Sequence, residues 1–267
     1  SRCLSNLCFS LSFPFKMKRT KSRRVHSLPL HARPQTLGLS SRPFQAHRRA
    51  MREAVRKKEI PGYSQIVVHA GRIVYMDSHG LTDAGGNKRS YNAKTLVRLF
   101  SMTKPFTAVA LLQAAEEGKL SLDDRIGKYL PKWRRLKHIL HPLQISAPVN
   151  AAVVPQPTLR QLAMHTSGLT YGAFAGYKPR YACEKSYSKL VEAVDKGSVC
   201  NIEAFCDELS KLPLRAKPSD RWEYSHGFDV LGRVLEVVDK KPLDEIFKQR
   251  IFKRLRMTDT SFSVSRH

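Results

Sequence analysis

The chain has 267 residues, 42% of them hydrophobic, enough for one sizeable core arranged in one or two lobes. Its 47 basic against 22 acidic side chains leave a formal net charge of +25, which alone would suggest a nucleic acid or an acidic membrane surface as partner. The distribution argues otherwise: residues 1–60 hold 15 Lys and Arg against two acidic residues, and none of the acids precedes Glu53. No aromatic-basic interleaving or recognised module accompanies the charge, so no nucleic-acid partner is expected.

Residues 1–52 are rich in Ser, Arg, Leu and Pro. They read either as an organellar transit-like leader or as a disordered basic tail, with the folded domain over residues 53–267. The apolar stretch Cys3–Phe15 is broken by Ser and Asn and is too short for a membrane span. Cys3, Cys8, Cys183, Cys200 and Cys206 form an odd, sparse set without C-x-x-C spacing. That pattern is neither a disulfide framework nor a zinc site and fits a reducing compartment. A soluble intracellular protein, organellar or cytoplasmic, is the expectation.

In chain order, Phe44, Met51 and Val55 recur at helical spacing and predict an amphipathic helix over about Arg42–Lys58, stopped by Ile60-Pro61-Gly62. Ser64–His69 and Arg72–Asp77, rich in Val, Ile and Tyr, flank Ala70-Gly71 and predict a β-hairpin. Ser78–Lys94 reads as loop. A long helix follows Ser101 and ends at Gly118; Phe106, Val109, Ala110, Leu112 and Ala114 lie nearly all round it, which predicts burial on every side. A turn-rich connector runs to Pro131, and Trp133–Pro157 reads as irregular. Thr158 is placed to cap a short helix through Met164, which His165-Thr166-Ser167-Gly168 ends. Residues 172–200 read as polar and irregular. Helices are predicted over Ile202–Leu212, around Phe228, Leu231, Val234, Leu235 and Val238, and after Pro242. A hairpin followed by many helices is an α+β pattern.

The chemistry centres on Phe100-Ser101-Met102-Thr103-Lys104-Pro105. Residues three apart share a helix face, so Ser101 Oγ and the Lys104 amine can meet without help from elsewhere. A serine hydroxyl is a poor nucleophile until a base takes its proton. A lysine held out of water near a helix N-terminus has its charged form disfavoured and can be that base. Ser-x-x-Lys alone reads more readily as a helix-capping Ser followed by a solvated Lys than as a catalytic pair.

The surroundings reverse that preference. Phe100-Ser101-Met102-Thr103-Lys104, Glu117-Gly118-Lys119-Leu120-Ser121-Leu122-Asp123-Asp124 and Tyr129-Leu130-Pro131 closely resemble a segment of the class C β-lactamase, family VIII esterase and penicillin-binding protein group. Thr158-Leu159-Arg160-Gln161-Leu162 with His165-Thr166-Ser167-Gly168-Leu169 is a second match. Trp222-Glu223-Tyr224-Ser225-His226, running on to Met257-Thr258-Asp259-Thr260-Ser261-Phe262, is a third. All occur in the family's order and, with the hairpin, cover about residues 44–262. The resemblance implies an α+β, β-lactamase/transpeptidase-like fold, a helical lobe packed on an antiparallel sheet. It also implies a serine hydrolase acting through an acyl-enzyme on a small-molecule ester or amide. Ser101 would be the nucleophile, Lys104 its base, and Tyr224 a third member that shuttles the proton to the leaving group. No cofactor or metal is implied.

His226 stands where the family has an Asn. Asn suits an amide partner, whereas imidazole differs in reach and can titrate. The change favours ester or peptidase-like substrates, with His226 either a substrate contact or an unreactive helix-start residue. The resemblance does not make His165 catalytic; its segment reads as a helix stop supporting the site. His138 and His141 are three apart without an accompanying carboxylate, which makes a metal site unexpected. The family's later Lys/His-Thr/Ser/Ala-Gly strand, source of a second oxyanion N–H, has no match after Tyr224. The chain is therefore expected to be an incomplete piece lacking its C-terminal strands. The rival to an enzyme is a relative that keeps the fold for binding or scaffolding.

Overall fold

A computed structural model of the chain describes residues 31–82, 89–139, 151–172 and 182–263. Two compact units divide at Val97/Arg98. In the first, helix α1 (Arg42–Arg56) precedes an antiparallel hairpin of β1 (Gly62–His69) and β2 (Arg72–Gly80), paired from Gly62↔Gly80 to His69↔Arg72 with an irregularity at Val67/Val68. The helix lies on β2: the Phe44 ring stacks on Tyr75 with centroids 5.3 Å apart. Asp77 accepts from Tyr63 Oη at 2.5 Å and faces Arg48 and Arg52 at 3.3 Å each. Helix and hairpin match the predicted elements, and the hairpin turns through Ala70-Gly71.

The second unit is built around α6 (Gly227–Asp239), whose Val230, Leu231, Val234 and Leu235 have no accessible surface. Packed on it are α2 (Lys104–Glu116), α3 (Leu159–Ala163), α5 (Ile202–Leu209) and α7 (Leu243–Phe247). Each fully buried Leu or Val here contributes about 1.5–3 kcal/mol of transfer free energy. For α6 and α7 the apolar spacing that predicted the helix is the spacing that fills the core. Beyond α7, a π turn (Lys248–Phe252) and α8 (Lys253–Leu255) bring Phe252 onto Phe106 of α2, centroids 5.2 Å apart.

Three expectations need correction. Residues 172–200 are not irregular throughout: α4 spans Ala182–Asp195, burying Cys183, Tyr187 and Leu190 at helical spacing. Polar residues Lys185, Ser186, Ser188 and Lys189 between them hide the pattern. Within Trp133–Pro157, β3 (Lys137–Ile139) pairs antiparallel with β4 (Ala151–Val153); strands of three residues are too short to display alternation. Finally, α2 is not buried all round, since Val109 and Leu112 are exposed. Apolar composition alone does not say which side of a helix finds a partner.

The Thr158 cap is present as a full capping box: Gln161 N–H donates to Thr158 Oγ1 at 3.1 Å and Thr158 N–H to Gln161 Oε1 at 2.8 Å. Cys183, Cys200 and Cys206 are free thiols; Cys3, Cys8 and His141 lie outside the described residues. Among the described residues no helix is long and apolar enough to cross a membrane, and no three His, Cys, Asp or Glu side chains stand together to hold a metal.

Candidate active site

Ser101 lies in a short 3₁₀ turn (Phe100–Thr103) that runs directly into α2, with Pro105 in the helix's first turn. Proline is tolerated there because its missing N–H would have no helical partner. Phe100, immediately before Ser101, holds φ of +47°, a left-handed conformation that is costly for a residue with a Cβ. It turns the chain so that Ser101 is exposed at the mouth of the helix while Lys104 starts its first turn. Lys104 Nζ donates to Ser101 Oγ at 3.3 Å, the contact predicted from their spacing.

Tyr224 arrives from 123 residues away and its hydroxyl donates to Ser101 Oγ at 2.6 Å. It sits on the irregular segment leading into α6. A close helix contact brings that segment in: a β-carbon on Gly227 would lie 2.6 Å from Leu162 O of α3, so only glycine permits this approach. The segment is held on both sides of the tyrosine. Glu223 N–H donates to His165 O at 2.7 Å, and the Glu223 carboxylate accepts from Arg215 at 2.5 Å. Arg215 also faces Glu184 of α4 at 3.3 Å. Ser225 N–H donates to His165 Nδ1 at 3.3 Å.

Around the hydroxyls is an aromatic wall. Lys104 Nζ lies 4.7 Å from the Tyr224 ring centroid and 5.9 Å from that of Tyr171, within the range in which a ring face attracts a cation. Tyr171 stacks on Tyr224 at 5.5 Å and on His226 at 4.2 Å. Burial pushes the Tyr171 phenol up, so it stays protonated. Burial, reinforced by the Lys104 ammonium and opposed by Asp229, pushes the His165 imidazole below its ordinary value. Its neutral form, with Nδ1 accepting, carries the proton on Nε2. Trp222 is exposed beside His165, centroids 5.8 Å apart.

Ser101, Lys104 and Tyr224, singled out from the sequence, are therefore within hydrogen-bond reach of one oxygen. His226 is placed differently. It caps α6 at 5% exposure, Nδ1 is 3.3 Å from Asp229 Oδ2, Phe205 meets its ring edge-on, and Nε2 is buried without a partner among the described residues. Sequence reasoning missed Tyr171. The only signal was an aromatic residue two positions past the His165–Leu169 motif.

The chain as a whole is similar to several known proteins. Esterase EstB of Burkholderia gladioli is 30% identical over 211 residues, which are 79% of this chain and 49% of that protein. Lovastatin esterase of Penicillium rubens is 30% identical over 198 residues, 72% of this chain and 46% of that protein. EstCE1, a hydrolase with promiscuous acyltransferase activity, shares the fold with a TM-score of 0.60 at 24% identity, covering 84% of this chain and 52% of that one. The chain spans about half the length of these relatives. Their α+β, β-lactamase-like fold is the one expected from the motifs. With the family model described as Beta-lactamase matching residues 47–267, the chain belongs to the Beta-lactamase family.

Proposed function

We propose that the chain carries the reacting groups of a serine hydrolase that works through an acyl-enzyme on an ester or amide. The observation that carries this reading is the convergence of Lys104 Nζ, at 3.3 Å, and Tyr224 Oη, at 2.6 Å, on the exposed Ser101 hydroxyl. Capping needs neither partner, whereas activation of a serine needs a base within hydrogen-bond reach. The reading is also supported by family membership and by relatives named as esterases.

In the proposed reaction Lys104 first gives up its own proton to solvent; Ser101 Oγ then bonds to the substrate's carbonyl carbon while its proton leaves to the Lys104 amine, directly or through the Tyr224 oxygen. Collapse of the tetrahedral adduct breaks the bond to the alcohol or amine, which takes that proton on departure. Water or another nucleophile then attacks the acyl-Ser101 ester by the reverse sequence. The Tyr224–Ser101 contact is short enough to pass a proton in either direction. The α2 N-terminus favours the alkoxide that develops on Ser101. No cofactor enters. His226 is given no part in the step, since it is 5% exposed and its Nε2 is buried.

A fluorophosphonate probe tests the reading on the protein as a whole. Covalent labelling that disappears in Ser101→Ala is expected, with release of p-nitrophenol from p-nitrophenyl acetate lost in parallel. A folded protein that takes up no label, or an Ser101→Ala variant that labels as well as wild type, would overturn it.

A further inference from the structure

His165 occupies a backbone position that ordinarily takes glycine. It follows Met164, the C-terminal cap of α3, with φ of +58°, where helix ends usually place Gly or Asn because a β-carbon is disfavoured. Lys58, Lys240 and Arg256 hold the same left-handed backbone at other helix ends, so what sets His165 apart is the contacts of its side chain. Its backbone carbonyl accepts from Glu223 N–H at 2.7 Å, as any residue's would. Two further contacts need the imidazole itself. Nδ1 accepts from Ser225 N–H at 3.3 Å, with Ser225 Oγ at 3.4 Å. The ring packs against Tyr224 at 4.7 Å and against Trp222 and Phe228 at 5.8 and 5.4 Å. Every one of these partners lies on the segment that carries Tyr224, and His165 grips the peptide on either side of it. The Tyr224 ring is bounded by His165, Tyr171 and the Lys104 ammonium.

We propose that His165 is a positioning residue: its Nδ1 and ring fix the 222–228 segment so that Tyr224 Oη is delivered onto Ser101 Oγ. The inference rests on the Ser101–Lys104–Tyr224 reading above. His165 exchanges no proton with the substrate. Its effect is geometric, and a displacement of about 1 Å in a reacting group can cost about 100-fold in rate. The neutral imidazole suits the task because its protonated form would offer Ser225 N–H no acceptor.

The test is a double-mutant cycle read by the acylation rate with p-nitrophenyl acetate, alongside kcat, KM and thermal melting. His165→Gly suits the left-handed backbone but removes ring and acceptor. His165→Asn also tolerates that backbone and keeps an amide oxygen as acceptor. Acylation in His165→Gly is expected to fall about 10- to 100-fold at nearly constant KM, with partial recovery in His165→Asn. In a Tyr224→Phe background, His165→Gly is expected to cost less than threefold more. If His165→Gly does not melt cooperatively, His165→Asn against His165→Phe, which keeps a ring without an acceptor, makes the same comparison. Wild-type acylation in the folded His165 variants, or a loss that multiplies fully with that of Tyr224→Phe, would overturn the positioning role. Failure of the underlying reading looks different: Tyr224→Phe itself would acylate at the wild-type rate, or Ser101 would take no label.

Discussion

At its N-terminal end helix α2 emerges from a turn in which Phe100 holds φ of +47° and Ser101 is exposed beneath Lys104 and Tyr224. At its C-terminal end it closes on Gly118, φ +69°, where the same half of conformational space carries no β-carbon penalty. Four charges then interlock. Arg250 donates in pairs to Glu117, at 2.6 and 2.9 Å, and to Asp239, at 2.7 and 2.9 Å. Lys119 Nζ lies 2.8 Å from both carboxylates. One end binds α2 to α6 and to the π turn; the other leaves a hydroxyl accessible. Left-handed non-glycine residues stand near both, Phe100 and His165 at the hydroxyl end and Lys240 beside Asp239 at the charged end. A left-handed non-glycine backbone costs energy and persists only where the surroundings over-determine it. The helix is pinned by charges at one end and presents an exposed hydroxyl at the other.

The largest expected effect breaks the working end. Lys104→Met should lower the acylation rate by about 10²- to 10⁴-fold with little change in melting temperature, measured by stopped-flow release of p-nitrophenol. Comparable activity in the variant would move the base elsewhere.

The anchoring end should respond in stability instead. Arg250 and Asp239 are mostly buried, so Arg250→Met leaves a carboxylate without its main partner. A loss of about 2–3 kcal/mol is expected, below the full figure for a buried pair because Glu117 is half-exposed. Ser101 labelling should survive below the new melting temperature. The same cluster sets an acid dependence. Arg250, then Lys119, holds the Glu117 carboxyl at about 2 instead of 4.5, and Arg250 likewise lowers Asp239. Groups with lowered folded values contribute stability fully above their unfolded values and lose it as pH falls through the folded ones. Urea midpoints should therefore drop between about pH 4.5 and about pH 2, and Arg250→Met should flatten that slope.

The smallest effect is the most direct probe of the contrast. Phe100→Gly removes the left-handed penalty at an exposed side chain and should stabilise by about 1 kcal/mol or less, after the extra unfolded-state entropy of glycine. Acylation should fall at the same time, because the turn that presents Ser101 is loosened. A variant that gains stability at full activity would mean that the Phe100 conformation serves no purpose at Ser101.

Features encoded within a few residues were legible beforehand. Thr158 caps α3 because a Thr before the first helical turn can accept from a free N–H there; the reciprocal Gln161 contact is seen only in the structure. Ser101 and Lys104 meet because a helical turn puts residues three apart on one face. Where the signal was diluted, it failed. The apolar stripe of α4 is interrupted by lysines and serines, and β3 and β4 are three residues each. Tyr171 carried no motif of its own, and only packing shows it against Tyr224 and His226.

The chain's own order of residues thus determined the core helices other than α4, the hairpin and the Ser101–Lys104 pair through local periodicity or short spacing, and the family through the resemblance of its motifs. Tertiary structure decided that Tyr224 reaches Ser101 across 123 residues and that His165 grips the segment carrying it. It also decided that His226 turns into the core and that one side of α2 stays exposed. Such outcomes depend on which helix faces approach one another. The Gly227–Leu162 contact is one such approach, and no spacing along the chain encodes it.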